Sequence, residues 1–166
     1  ASRLRPFSDR AWEVARVDDM DRVLLDRVAV RDVFERYLQG LDRHDTEMIV
    51  GTFTDDVERT SSEGGSSGTA SARDGFSRPG LGPAELDRTI HRTHLLGNFT
   101  VTIDGDEANG EAVCVSFLTG ERADAPHTLI RGIEYGLSFR RESTEWRICR
   151  LDHSLTWMLE ATPVKS

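Results

Sequence analysis

The alternation of apolar and polar positions divides this chain into a helical front and a strand-rich back. From Asp19 to Leu41, Val23, Leu24, Val28, Val30, Val33, Phe34, Tyr37, Leu38 and Leu41 recur at helical spacing. Asp26, Arg27, Arg31, Asp32, Glu35 and Arg36 fill much of the rest. That pattern predicts a long amphipathic helix. Ahead of it, Ser8 is placed to cap a short separate helix over 9–16, with Trp12 and Val14 free to dock on the body or a second subunit. Asp45 or Thr46 caps a second, short helix through Met48, Ile49 and Phe53, and 57–60 reads as a short strand. The Gly- and Ser-rich segment 61–82 predicts a long loop or lid. Pro83 suits the first position of a third helix ending near Ile90.

Strands follow. In 91–106 the alternation changes phase: His94 and Leu96 on one side of Gly97, then Phe99, Val101 and Ile103. A glycine at the crossover predicts a β-bulge that leaves His94 on the face of the later apolar residues. The Asp104-Gly105-Asp106 turn leads to a strand with Val113, Val115 and Phe117 on one face. The next strand, 127–141, puts Leu129, Ile133, Tyr135, Leu137 and Phe139 together, with Arg131 on their side. In the last, Trp146, Ile148 and Arg150 share a face before the parity passes to Leu151, Leu155 and Trp157. Helices first and long antiparallel strands after predict an α+β fold. Its mixed or antiparallel sheet curls into a cone-shaped barrel over the long helix and two shorter ones. The expected organisation is an N-terminal arm over 1–18, one domain over 19–160, and a tail over 161–166.

Composition narrows the partners. The chain has 166 residues and a net charge of −8, which argues against nucleic acid, whose phosphates call for a basic face. Mean hydropathy is −0.45, and no apolar run approaches the ~20 residues of a membrane span. The N-terminal residues lack the apolar core of a signal peptide, so a cytoplasmic protein is expected. Cys114 and Cys149 sit in apolar strand patterns without metal-ligand spacing and are expected as buried free thiols. The histidines lack zinc spacing and no Gly-rich phosphate loop is present, so neither metal nor organic cofactor is expected.

Several short motifs occur in a telling order: Tyr37-xxxx-Asp42-Arg43-x-Asp45, Phe53-Thr54-Asp55-Asp56, Thr93-His94-xxx-Asn98, Asp104-Gly105-Asp106-x-Ala108 and Trp146-Arg147-Ile148. In that order they resemble the SnoaL-like, nuclear transport factor 2-like superfamily over about residues 20–158. The superfamily holds scytalone dehydratase, ketosteroid isomerase, polyketide cyclases, bile-acid dehydratase and hexachlorocyclohexane dehydrochlorinase, and non-catalytic domains too. The resemblance implies a catalytic acid at Asp42 and a histidine at His94. It also matches a late arginine of the dehydrochlorinase to Arg150 and a tyrosine of the bile-acid dehydratase to Tyr37. The chain departs from several dehydratases at 116–119, where Ser116 to Thr119 offer no second strong acid or base. His127 or Arg131 on the neighbouring strand is the available substitute.

An aspartate bonded to the imidazole Nδ1–H fixes the tautomer and steadies the imidazolium. His94 with Asp42 thus predicts a general base, Arg150 holding a leaving group or oxyanion and Tyr37 donating a hydrogen bond. Arg131, Phe117, Tyr135, Trp146 and Phe53 are the expected substrate contacts. The expected activity is a cofactor-free lyase, isomerase or cyclase acting on a small hydrophobic substrate, in a homo-oligomer (dimer or trimer). Competing readings are a non-catalytic apolar-ligand or dimerisation module and an epoxide hydrolase, for which Asp152 is the nearest second acid. His91 and His153 read as surface or structural, and His44 as a solvated loop residue.

Overall fold

The computed structural model describes residues 8–61, 64–77 and 88–161. Helix α1 runs Ser8–Arg43 without the expected break near residue 18. No glycine or proline interrupts it before Gly40. The side chains of Trp12 and Val14, and residues 83–87 of the expected third helix, lie outside the described ones; Arg88–Ile90 belong to a strand instead. Of the apolar stripe, Val30, Val33, Phe34, Tyr37, Leu38 and Leu41 are buried, whereas Val23, Leu24 and Val28 are exposed. The sheet covers α1 from about Val30 onward, and Val23, Leu24 and Val28 continue the same stripe into solvent.

A tight turn follows. His44 takes a left-handed φ of 54°, the Asp45 amide donates to the Gly40 carbonyl at 2.9 Å, and the Asp45 carboxylate caps α2 (Thr46–Val50) by accepting from the Met48 amide. Gly40 is required there: a Cβ on it would lie 2.7 Å from Ile49 Cγ1. Strand β1 (Phe53–Ser61) pairs with the short β2 (Gly64–Ser67), and α3 spans Thr69–Ser77. The Gly- and Ser-rich segment is therefore partly ordered, its α3 held by the Arg73–Glu47 ion pair and by Thr46 Oγ1 donating to the Phe76 carbonyl.

Four long strands complete the fold: β3 (Arg88–Asp104), β4 (Glu107–Arg122), β5 (Ala125–Glu142) and β6 (Glu145–Ala161). The order across the curved sheet is β2-β1-β6-β5-β4-β3. Only β1 and β6 run parallel, so the sheet is mixed. Its concave face packs on α1 through Phe34, Tyr37, Phe53, Ile133, Tyr135, Phe139 and Ile148. The architecture is the expected α+β cone. The bulge at Gly97 is present: register shifts between Leu96 and Phe99, and Leu96, Phe99, Val101 and Ile103 all pack against the core.

Two facing assignments change. On β4 the buried residues include Ala108, Ala112, Cys114, Ser116 and Leu118, so Val113, Val115 and Phe117 lie on the convex face. Both faces of β4 are apolar enough that alternation alone fixes no direction; its partners Tyr135 and Ile133 fix it. On β6 the register skips Cys149, between Ile148 opposite Phe139 and Arg150 opposite Ser138. The bulge thus falls one position ahead of Arg150 and turns that residue outward. At the far end, an ion cluster fastens α1 to the sheet. Arg141 pairs with Asp26 at 2.7 Å, and the Trp146 indole donates to Asp26 at 3.1 Å. The Arg141 guanidinium also lies 4.3 Å over the Trp146 ring.

Candidate active site

Asp42 sits in the last turn of α1, where the helix dipole disfavours a carboxylate. It is compensated by two donors from one residue. The His94 ring Nδ1 lies 2.6 Å from Asp42 Oδ1, and the His94 amide donates to Oδ2 at 3.1 Å. β3 is an edge strand, so an amide pointing away from β4 has no strand partner and is open to Asp42. The double grip fixes ring orientation and tautomer: a carboxylate accepts, so Nδ1 carries the proton and Nε2 the free lone pair. Burial pulls the His94 pKa below its ordinary value. The Asp42 bond and charge push it up, Arg92 and Arg131 push it down, and burial prevails. The ring is neutral near pH 7, the form a base requires.

The tyrosine lies close by. Tyr37 is buried in a cluster with Phe34, Phe53, Phe76 and Tyr135. Burial pushes its hydroxyl up to about 12 despite the Arg59 charge, so it acts only as a neutral hydrogen-bond group. Phe53 and Tyr135 are core members of the same cluster.

The arginine does not arrive. Arg150 is exposed on the convex face and bonds to Asp152 at 2.8 Å. Asp152 is thereby engaged outside and does not join Asp42 as the second acid of an epoxide-hydrolase relay. Phe117, on the convex face, is not brought to the dyad. Trp146 is buried at the opposite end against Asp26.

Arg131 takes the inner position. It pairs with Ser116 across β4–β5, and Ser116 pairs with His94 across β3–β4, so the three side chains form one row on the concave face. His153 joins them from β6: its ring lies 5.4 Å from that of Tyr135. Burial first, then the Arg131 charge and His94, pull its pKa down to about 4. Of the two expectations for His153, surface or structural, this inward position overturns the surface one. Its signal was present in the parity after the Cys149 bulge, which puts Leu151 and His153 on one face. Among the described residues no group of three or more His, Cys, Asp or Glu side chains gathers that could hold a metal ion. Cys114 and Cys149 are both free, and burial pushes the Cys114 thiol up to about 11. No described helix is long and apolar enough to cross a membrane.

Known proteins share this fold. A hexachlorocyclohexane dehydrochlorinase of type 2 superposes with a TM-score of 0.74 at 18% identity, covering 89% of this chain and 96% of that one. A putative scytalone dehydratase from Novosphingobium aromaticivorans gives 0.71 at 17% identity, covering 89% and 94%. At such identities the likeness speaks to fold. An uncharacterized protein of Mycobacterium tuberculosis is 37% identical over 57 residues, which span 34% of this chain and 38% of that protein. The SnoaL-like domain pattern matches residues 22–152, the stretch that holds α1's buried half, Asp42, His94, Ser116 and Arg131, and the chain belongs to the SnoaL-like family.

Proposed function

We propose that this chain is a cofactor-independent lyase or isomerase in which His94 is the general base. Nε2 of His94 takes a proton from a carbon acidified by a neighbouring carbonyl or activated by a leaving group on the next carbon. The electron pair left behind either forms the new double bond as the leaving group departs, the proton later passing to that group or to solvent, or delocalises into a dienolate that the His94 imidazolium reprotonates at the far carbon. Asp42 holds the ring and stabilises the imidazolium as it forms, a role worth on the order of 10²-fold or more. Arg131, on the inner row with His94, is the cation available to a developing oxyanion or departing group, in place of Arg150. Tyr37, neutral at any physiological pH, contributes shape and a hydrogen bond.

The observation that carries this reading is the 2.6 Å contact between His94 Nδ1 and Asp42 Oδ1. The reading is tested by assaying purified protein on a panel containing γ-hexachlorocyclohexane, a β-hydroxy aryl ketone and a β,γ-unsaturated ketone, followed by His94→Gln and Asp42→Asn. We expect turnover of at least one chemical class, lost by about 10²–10⁴-fold in His94→Gln. Activity that survives His94→Gln sinks the base assignment. Tight binding with no turnover of any class identifies a binding module instead.

A further inference from the structure

We propose that the concave face carries an anion subsite built by Ser116, Arg131 and Arg92, and that the substrate of this chain is an aromatic or alicyclic carboxylate. The inference deepens the general-base reading by naming the substrate class, and rests on it only in setting the carboxylate beside His94.

The geometry starts from the cross-strand row. Ser116 lies between His94 on one side and Arg131 on the other, and neighbouring strands are about 4.8 Å apart. Its hydroxyl is fully buried, yet Oγ has no hydrogen-bond partner. Arg131 Nε is likewise buried and unpartnered. Arg92 stands two residues before His94 on β3, opposite the buried Leu118, and so on the same face; its Nε is also unpartnered. A buried donor without an acceptor costs the folded protein about 1–3 kcal/mol, more for a charged group. Three such donors around one spot describe a site lacking its acceptor.

Charge leads to the same conclusion. The molecule carries a net charge of −8, yet this face is cationic. Arg59 adds a third guanidinium, 4.3 Å over the Phe76 ring, with its Nε buried and unpartnered. It pairs with the buried Leu151, beside His153. Burial lowers the pKa of Arg92, and the charge of Arg131 lowers it further; Asp42 is the one carboxylate among the described residues that opposes this. Like charges held together out of water are stabilised by an anion that bridges them. A planar carboxylate accepts from a guanidinium and a serine hydroxyl at once. The rings of Tyr37, Phe53, Phe76 and Tyr135 behind the site suit a cyclic body attached to that carboxylate.

The test uses the full chain with benzoate and its neutral isostere benzamide, read by calorimetry and by the ring resonances of His94 and His153. We expect benzoate to bind about tenfold or more tightly than benzamide. That preference should collapse in Arg131→Gln and shrink in Arg92→Gln and Ser116→Ala. Arg150→Gln, on the convex face, should keep it. His94→Gln should also keep it, so failure of the base assignment and failure of the anion subsite are separate results. Equal affinities, preference for benzamide, or no benzoate binding at about 10 mM would overturn the proposal. So would a preference retained in all three subsite variants with unperturbed melting.

Discussion

His94 and His153 face each other across the site with opposite electrostatic histories. His94 has a carboxylate that raises its pKa against burial; His153 has none, and the nearby charges of Arg131 and His94 add to burial. Activity should therefore rise with pH along an acid limb below the ordinary histidine value of about 6.5. Asp42→Asn removes the charge and weakens the hydrogen bond, so the limb should move to lower pH while the plateau falls. An NMR titration of the ring reads the shift without any substrate, and an unmoved His94 would mean that Asp42 does not set its protonation. For stability the sign follows from the depressed value of His153. Its neutral form is favoured by folding, so its contribution is complete above about pH 6.5 and is lost as pH falls toward about 4. Discounted for residual exposure, that loss is on the order of 1–2 kcal/mol. Thermal melts of His153→Gln should accordingly vary less across this window than those of the parent.

At the scale of elements, the site depends on how α1 ends. Gly40 lets α2 lie against the last turn, and the His44 and Asp45 turn sets the direction in which Asp42 leaves the helix. Gly40→Ala puts a methyl 2.7 Å from Ile49 Cγ1, and overpacking of this kind costs about 1–3 kcal/mol. We expect a lower melting temperature together with a weakened His94–Asp42 coupling, seen as a downward move of the His94 pKa. Wild-type melting would show that α2 yields freely. Strand parity was legible where one face was plainly apolar. The bulge at Gly97 and the inward set on β5 both follow from alternation. Parity misled on β4, whose outward residues are the larger ones, and on β6, where the skipped residue is Cys149. Facing there depends on which backbone partner each residue meets.

At the scale of the whole molecule, the Asp26–Arg141–Trp146 cluster anchors α1 to the hairpin between β5 and β6. Burial pushes the Asp26 carboxyl up, but hydrogen bonds from Arg141 and Trp146 and the charges of Arg141 and Arg22 outweigh it, and the net pKa is below the ordinary value. Asp26→Ala leaves the guanidinium half-paired on Asp106, and should cost about 2 kcal/mol in chemical denaturation. A neutral result would show that the helix is held by its apolar stripe alone. A homo-oligomer is expected of this chain, and Leu95, Val113, Trp157 and Leu159 are exposed on the convex face as apolar surface suited to a second copy. Trp157→Glu should lower the mass found by sedimentation at micromolar concentration, and a parent that sediments as a monomer contradicts the expectation.

The residues decided much of this locally. A stripe at helical spacing, strands in alternation, a glycine at a phase change and a carboxylate on the wrong end of a helix are properties of neighbours in the chain. They determined the α+β cone, while the pairing of Asp42 with His94 followed from the family resemblance of the motifs that hold them. Arg131 for Arg150, the unpartnered Ser116 and the inward turn of His153 were decided only when six strands came into register. Those choices depend on which residues from distant segments share a face, and a single skipped residue in one strand reverses all that follow it.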